Sequence, residues 1–122
     1  MPRFVILRHE LPPSQDRTSH FDFMLERGSV LRTWSHLEMP AEGTTIRLDA
    51  LPDHRLAYLE YEGPVSDNRG TVKQVEAGNY ETVEESETLW RLRLKGRLLC
   101  GLLSLQRDVA VPHCWTATLS AE

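Results

Sequence analysis

The sequence predicts an all-β, mainly antiparallel fold: a small closed or partly closed β-barrel of about eight strands with one short helix. Three observations carry this. Apolar and polar residues alternate at period two in several segments, the mark of half-buried strands. Turn signals separate those segments at Arg27-Gly28-Ser29, Glu42-Gly43, Asn68-Arg69-Gly70 and Lys95-Gly96. The segments are short and closely spaced, and closing them into a barrel removes exposed edge strands.

The first strand, 3–9, runs through Phe4-Val5-Ile6-Leu7 and ends in Arg8-His9. A loop containing Pro12-Pro13-Ser14-Gln15-Asp16 and Arg17 follows. In the second strand, 20–26, Phe21, Phe23 and Leu25 alternate with His20, Asp22, Met24 and Glu26. Strands 30–36 and 44–50 come next, then the one helical segment, around Asp53 to Tyr61. Strands 69–76 and 79–84 precede strand 88–95, where Leu92 and Leu94 alternate with Arg91, Arg93 and Lys95. Strand 97–106 contains the apolar run Leu98-Leu99-Cys100-Gly101-Leu102-Leu103, in which Cys100 reads as a buried small hydrophobe. Strand 114–119 alternates Trp115, Ala117 and Leu119 with Thr116 and Thr118.

With 122 residues the chain fits one domain, 1–122. Its 40% hydrophobic and 26% charged residues exclude a disordered tail and a fibre. No apolar run approaches the roughly 20 residues of a membrane helix. The four-residue run near the N-terminus is too short for a secretory signal, so a cytoplasmic protein without a membrane partner is expected. The net charge of -4 argues against a generic nucleic-acid coat. Five of the acids, Glu76, Glu81, Glu84, Glu85 and Glu87, fall in one stretch that reads as a solvated face. Most of the bases are Arg, whose planar fork suits phosphate. Cys100 and Cys114 form no CxxC pair, which argues against a zinc ribbon.

His20-Phe21-Asp22 is the most informative triplet. Residues i and i+2 of a strand share a face, about 6.5–7 Å apart. An imidazole and a carboxylate so placed can converge on one ion. His9 ends the preceding strand and shares a face with Leu7 and Val5. Two imidazoles and a carboxylate with open positions suit Mn²⁺, Fe²⁺ or Zn²⁺. The plainer reading is a set of hydrogen-bonded structural side chains. An Fe²⁺ facial-triad oxygenase would instead take His54 or His113 as third ligand. His54 and Tyr58, four apart in a helical turn, form a second pair able to hold a phosphate oxygen or pass a proton. His36 and His113 have no evident partners and read as structural or exposed.

These residues resemble the 3′-phosphoesterase domain of bacterial DNA ligase D. Phe4 to His9 resembles that family's opening strand, which ends in a metal-binding His. His20-Phe21-Asp22-Phe23-Met24-Leu25-Glu26 resembles its HYDFRLE motif. Gly28 to Trp34, with Ser35 after it, looks like its G-x-L-K-S-W-A strand. Asp53-His54 with Leu56 and Tyr58, then Glu62-Gly63, looks like its DHPL-x-Y-x-x-FEG segment. Gly70-Thr71-Val72 and Leu92 to Gly96 correspond to later strands, so the resemblance spans about residues 4–107.

The resemblance implies an eight-stranded barrel that binds Mn²⁺, or Zn²⁺ or another divalent transition metal, through His9, His20 and Asp22. It implies a phosphoesterase of DNA repair, removing a 3′-phosphate or 3′-ribonucleotide from DNA or RNA–DNA 3′ ends. DNA-repair ligase or polymerase proteins would be its partners. His54 and Tyr58 would contact the scissile phosphate, and Arg47, Arg17 and Arg55 would bind phosphate.

The chain also departs from the family. Met24 stands where the family has an Arg, Leu7 where it has a Gln, and Glu38 where it has a Lys. Arg47 lies seven residues before His54 rather than eight, which reverses its face unless a bulge intervenes. The loop at 65–70 is shortened, and the loop between His9 and His20 is lengthened. Arg17, Arg55 and Arg69 are the arginines available to replace the lost guanidinium groups. These departures define the alternative, a catalytically degenerate barrel that binds metal or nucleic acid.

Overall fold

The computed structural model describes residues 1–13, 18–66 and 68–122. The strands are β1 (Arg3–Glu10), β2 (His20–Arg27), β3 (Val30–His36), β4 (Thr45–Arg55), β5 (Gly63–Pro64), β6 (Thr71–Glu85), β7 (Leu89–Gly96), β8 (Cys100–Arg107) and β9 (Cys114–Ser120). One 3₁₀ turn, η1 (Leu56–Leu59), follows β4. The sheet order is β1-β2-β3-β4-β9-β8-β7-β6-β5, and β1 also pairs with β6. That last pairing closes eight antiparallel strands into a barrel, with β5 as a short extra strand. Among the described residues no helix is long and apolar enough to cross a membrane.

Alternation decides what enters the barrel. Phe4, Ile6, Phe23, Leu25, Trp34, Leu48, Trp90, Leu92, Leu105 and Trp115 belong to one buried cluster that fills it. The opposite faces of β1, β2 and β3 are also covered. Val5, Leu7, Met24 and Leu31 pack with Leu59 of η1 and Val72 of β6 in a second cluster on the outer wall. This is why β1 reads as an unbroken apolar run: Phe4, Val5, Ile6 and Leu7 are all fully buried.

Several predicted boundaries differ. The helix expected from Asp53 to Tyr61 is instead the end of β4 and the four-residue η1, because His54 and Arg55 pair with Leu31 and Val30 of β3. Segments 69–76 and 79–84 are one strand, β6, which passes from β1 to β7 as neighbour at Gly78 and Asn79. Ladder hydrogen bonds on both sides let the chain run through Gly78 without a turn. The strand expected from 97 begins at Cys100, because residues 97–99 make the turn from β7. Cys100 is exposed, not buried: Gly101, Leu103 and Leu105 face the interior, so Cys100, an odd step away, faces solvent. The acidic stretch is solvated except at Glu76. That side chain is fully buried and accepts hydrogen bonds from the backbone N–H groups of Ala77, Arg97, Leu98 and Leu99. A bulge in the β1–β6 ladder, between Ile6 and Leu7, accompanies this inward turn.

Candidate metal and phosphate site

The second cluster forms the floor of a pocket of about 180 Å³ on the outer wall. Its polar lining comes from His9, His20, Asp22, His54, Tyr58 and Arg69, and its apolar lining includes Met24, Leu51, Val65 and Val72. Strand pairing assembles the polar set. His9 stands directly opposite His20, and Leu7 opposite Asp22, in the β1–β2 register. The ligand atoms of His9, His20 and Asp22 all lie within 4.8 Å of one another. Neither His54 nor His113 belongs to that group, which removes the ligand set of the oxygenase reading.

Each imidazole is oriented by a backbone carbonyl. A carbonyl only accepts, so the nitrogen facing it carries the proton. His9 Nε2–H donates to the Arg69 carbonyl at 2.7 Å. His20 Nδ1–H donates to the Thr18 carbonyl at 2.9 Å. The other nitrogens turn to Asp22: His9 Nδ1 lies 3.5 Å from Oδ2, and His20 Nε2 lies 3.2 Å from Oδ1. Oδ1 is buried and has no well-directed hydrogen bond, so its 3.2 Å neighbour is a charge contact rather than a formed bond. The nitrogens of His9 and His20 turned away from those carbonyls and the Asp22 carboxylate form a set of three donors close enough to share one divalent cation. The donor set therefore fits a borderline transition metal, and the carbonyl partners are the outer shell that such ligands need.

Burial pushes the Asp22 carboxyl up, but the His20 and His9 contacts outweigh it and hold it at about 2. The group stays ionised across the working pH range, as a ligand must.

His54 and Tyr58 meet at the corner between β4 and η1, with ring centroids 5.7 Å apart and edge to face. Strand and turn, not a helix, bring them together. His54 Nδ1–H donates to the Pro52 carbonyl at 2.9 Å, leaving Nε2 as the nitrogen for a ligand in the pocket. Arg47 shares this outer face. The β3–β4 register shifts between Leu31 and Thr33, inserting one extra residue into β4, so the odd offset from Arg47 to His54 is corrected. Arg47 lines a neighbouring pocket that meets the first at His20, and it is paired with Asp49 at 3.0 Å. Arg55 is exposed and lines neither pocket; the step from His54 turns it away. Arg17 lies outside the described residues.

Sequence reasoning left Arg69 among three alternatives. Its signal was the Asn68-Arg69-Gly70 turn, but a turn does not reveal which wall its side chain meets. Among the described residues Arg69 is the arginine that lines the pocket. His36 is buried: it stacks on Phe21 and donates from Nδ1 to the Glu38 carbonyl at 2.6 Å. Burial holds it below the ordinary imidazole value. His113 is exposed.

A closed barrel whose outer wall carries two imidazoles and a carboxylate beside a polar pocket defines a class: β-barrel proteins equipped to hold a cation next to a ligand. The chain belongs to the DNA ligase D 3′-phosphoesterase domain family, whose model matches residues 13–107. No curated protein matches it. The matched span includes His20, Asp22, His54 and Tyr58 but not His9, which joins the site through strand pairing. Membership supports a phosphoesterase role in DNA repair, and domains of this family are metal-dependent in general.

Proposed function

We propose that this protein is a Mn²⁺-dependent phosphoesterase acting on DNA or RNA–DNA 3′ ends, removing a 3′-phosphate or a terminal ribonucleotide. The observation that carries the reading is the convergence of His9, His20 and Asp22 in the pocket that His54 and Tyr58 line. A bound divalent cation supplies neutralisation of phosphate charge and a water of lowered pKa. Zn²⁺ or another divalent transition metal suits the same donors.

Phosphoryl transfer asks for positioning and charge stabilisation more than for covalent chemistry, and the side chains answer that need. Water attacks phosphorus and its hydrogens stay with the phosphate product, the bond from phosphorus to the 3′-oxygen breaks, and His54, acting as general acid from Nε2, gives a proton to the departing oxygen. The Pro52 carbonyl holds the ring for that transfer. Tyr58 Oη donates to a nonbridging phosphate oxygen. His9 and His20 keep their inward nitrogens aimed through the Arg69 and Thr18 carbonyls. No Ser or Cys nucleophile is required.

The test is phosphate release from a 3′-phosphorylated primer-template by pure protein. Activity should require Mn²⁺ and disappear in His20→Ala and Asp22→Ala. Absence of turnover on both 3′-phosphate and 3′-ribonucleotide ends at saturating Mn²⁺ overturns the reading.

One observation favours a second reading. Met24 and Leu7 are buried in the apolar floor, where the resemblance expects an Arg and a Gln. A barrel that binds without hydrolysis predicts DNA affinity falling with salt, with a slope of about -0.9 per phosphate neutralised, and no product.

A further inference from the structure

The pocket that receives the phosphate needs a fixed positive side chain, and Met24 is not one. We infer that Arg69 is the residue that recognises the terminal phosphate and so sets the preference for a phosphorylated 3′ end. This rests on the phosphoesterase reading above and adds to it the residue that confers end specificity.

Four features of Val65, Ser66, Arg69 and Gly70 carry the inference. First, the loop is anchored at both ends. Val65 N–H donates to the Gly70 carbonyl at 2.8 Å. Gly70 has φ +87°, and a Cβ there would lie 1.9 Å from the Glu10 carbonyl oxygen, so this backbone lies directly against the end of β1. Second, the Arg69 carbonyl accepts the Nε2–H of His9. The main chain of this residue is thereby tied to a donor of the His-His-Asp group. Third, the guanidinium is oriented by one edge alone: Nε–H donates to the Ser66 carbonyl at 2.8 Å, and Nη2 to Ser66 Oγ at 2.9 Å. Among the described residues nothing takes Nη1, and a guanidinium held in this way loses little freedom on gripping two phosphate oxygens.

Fourth, Arg69 has no acidic partner among the described residues. Arg3, Arg8, Arg27, Arg32, Arg47, Arg91 and Arg93 all pair with carboxylates. Among the described residues no carboxylate pairs with Arg69, although Asp22 lines the same pocket. A charged guanidinium on a residue that lines a pocket with two imidazoles and a tyrosine is available to an anion there.

The experiment measures binding apart from catalysis. A labelled primer-template ending in 3′-phosphate, and its 3′-hydroxyl counterpart, are titrated with full-length protein in EDTA at fixed salt and read by fluorescence anisotropy. Wild type should prefer the 3′-phosphate end by about tenfold, the scale of one charge-assisted bidentate contact. Arg69→Ala should bring the two ends within about twofold, and Arg69→Lys should retain part of the preference. Mn²⁺ affinity of Arg69→Ala, read by calorimetry, should stay within about threefold of wild type, because the carbonyl that orients His9 is retained. A preserved end preference in Arg69→Ala overturns the inference. So does a large loss of Mn²⁺ affinity, which would make Arg69 a positioning residue acting through His9. Turnover with Mn²⁺ is measured on the same wild-type sample. Turnover without any end preference overturns the role of Arg69 and leaves the phosphoesterase standing; no turnover at all overturns the phosphoesterase.

Discussion

Glu76→Gln is nearly isosteric, yet the structure assigns it a large cost. The Glu76 carboxylate is fully buried and serves four backbone donors. Oε1 accepts from Ala77 at 2.8 Å and Arg97 at 2.9 Å. Oε2 accepts from Leu98 at 2.8 Å and Leu99 at 2.5 Å. Glutamine keeps one oxygen for two of these N–H groups and presents its own NH₂ to the other two. Hydrogen bonds to a charged group contribute about 1.5–3 kcal/mol each. Losing two therefore costs about 3–6 kcal/mol, before counting the weaker bonds that remain. Rotating the amide does not escape this, because a flip only exchanges which pair of N–H groups meets the NH₂. Such a loss is a large share of the 5–15 kcal/mol that holds a typical domain together. Urea unfolding followed by the fluorescence of Trp34, Trp90 and Trp115 gives the change in stability. Amide exchange should show the Leu98 and Leu99 protons losing protection first. A loss below about 1 kcal/mol with those two amides still protected would refute the argument that this carboxylate closes the β7–β8 turn.

Three further outcomes follow from the same geometry. Gly70→Ala, facing a left-handed φ and a carbonyl oxygen at 1.9 Å, should destabilise the protein by about 1–3 kcal/mol and weaken Mn²⁺ binding, because it displaces the carbonyl that orients His9; unfolding and calorimetry on the same sample check both. Burial lowers the His36 pKa below 6.5, so the unfolded chain binds the extra proton and stability falls as pH drops below 6.5 toward the folded value; His36→Gln should remove that part of the pH dependence, measured as the difference between the two urea series. Mn²⁺ at a hundredfold excess over its Kd should stabilise the protein by about 2.7 kcal/mol, and Asp22→Asn should abolish the shift. Asp22 contributes its share of metal-free stability above its ordinary value of 3.8, and that share is lost as pH falls through about 2.

Much of the site was legible because strand parity is local. His20 and Asp22 had to share a face, and so did Val5, Leu7 and His9. Spacing paired His54 with Tyr58, the resemblance assigned them to the phosphate, and both line the same pocket as the His-His-Asp group. Their means of meeting was misread: the four-residue spacing argued a helical turn, whereas pairing with β3 keeps His54 on a strand. Glu76 was misread for a related reason. An acid within an acidic stretch reads as solvated, and nothing in that stretch reveals the N–H groups of residues 97–99 that come to it from another turn.

The sequence by itself determined the class of fold, the two-residue rhythm of its strands and the facing of side chains within each strand, because these follow from the backbone geometry of neighbouring residues. Tertiary structure alone decided which strands closed the barrel, that His9 stands opposite His20, that a bulge returns Arg47 to the face of His54, and that Arg69 is among the residues lining the pocket. Those outcomes depend on register and on hydrogen bonds between residues far apart in the chain, where a shift of one position turns every side chain to the other wall.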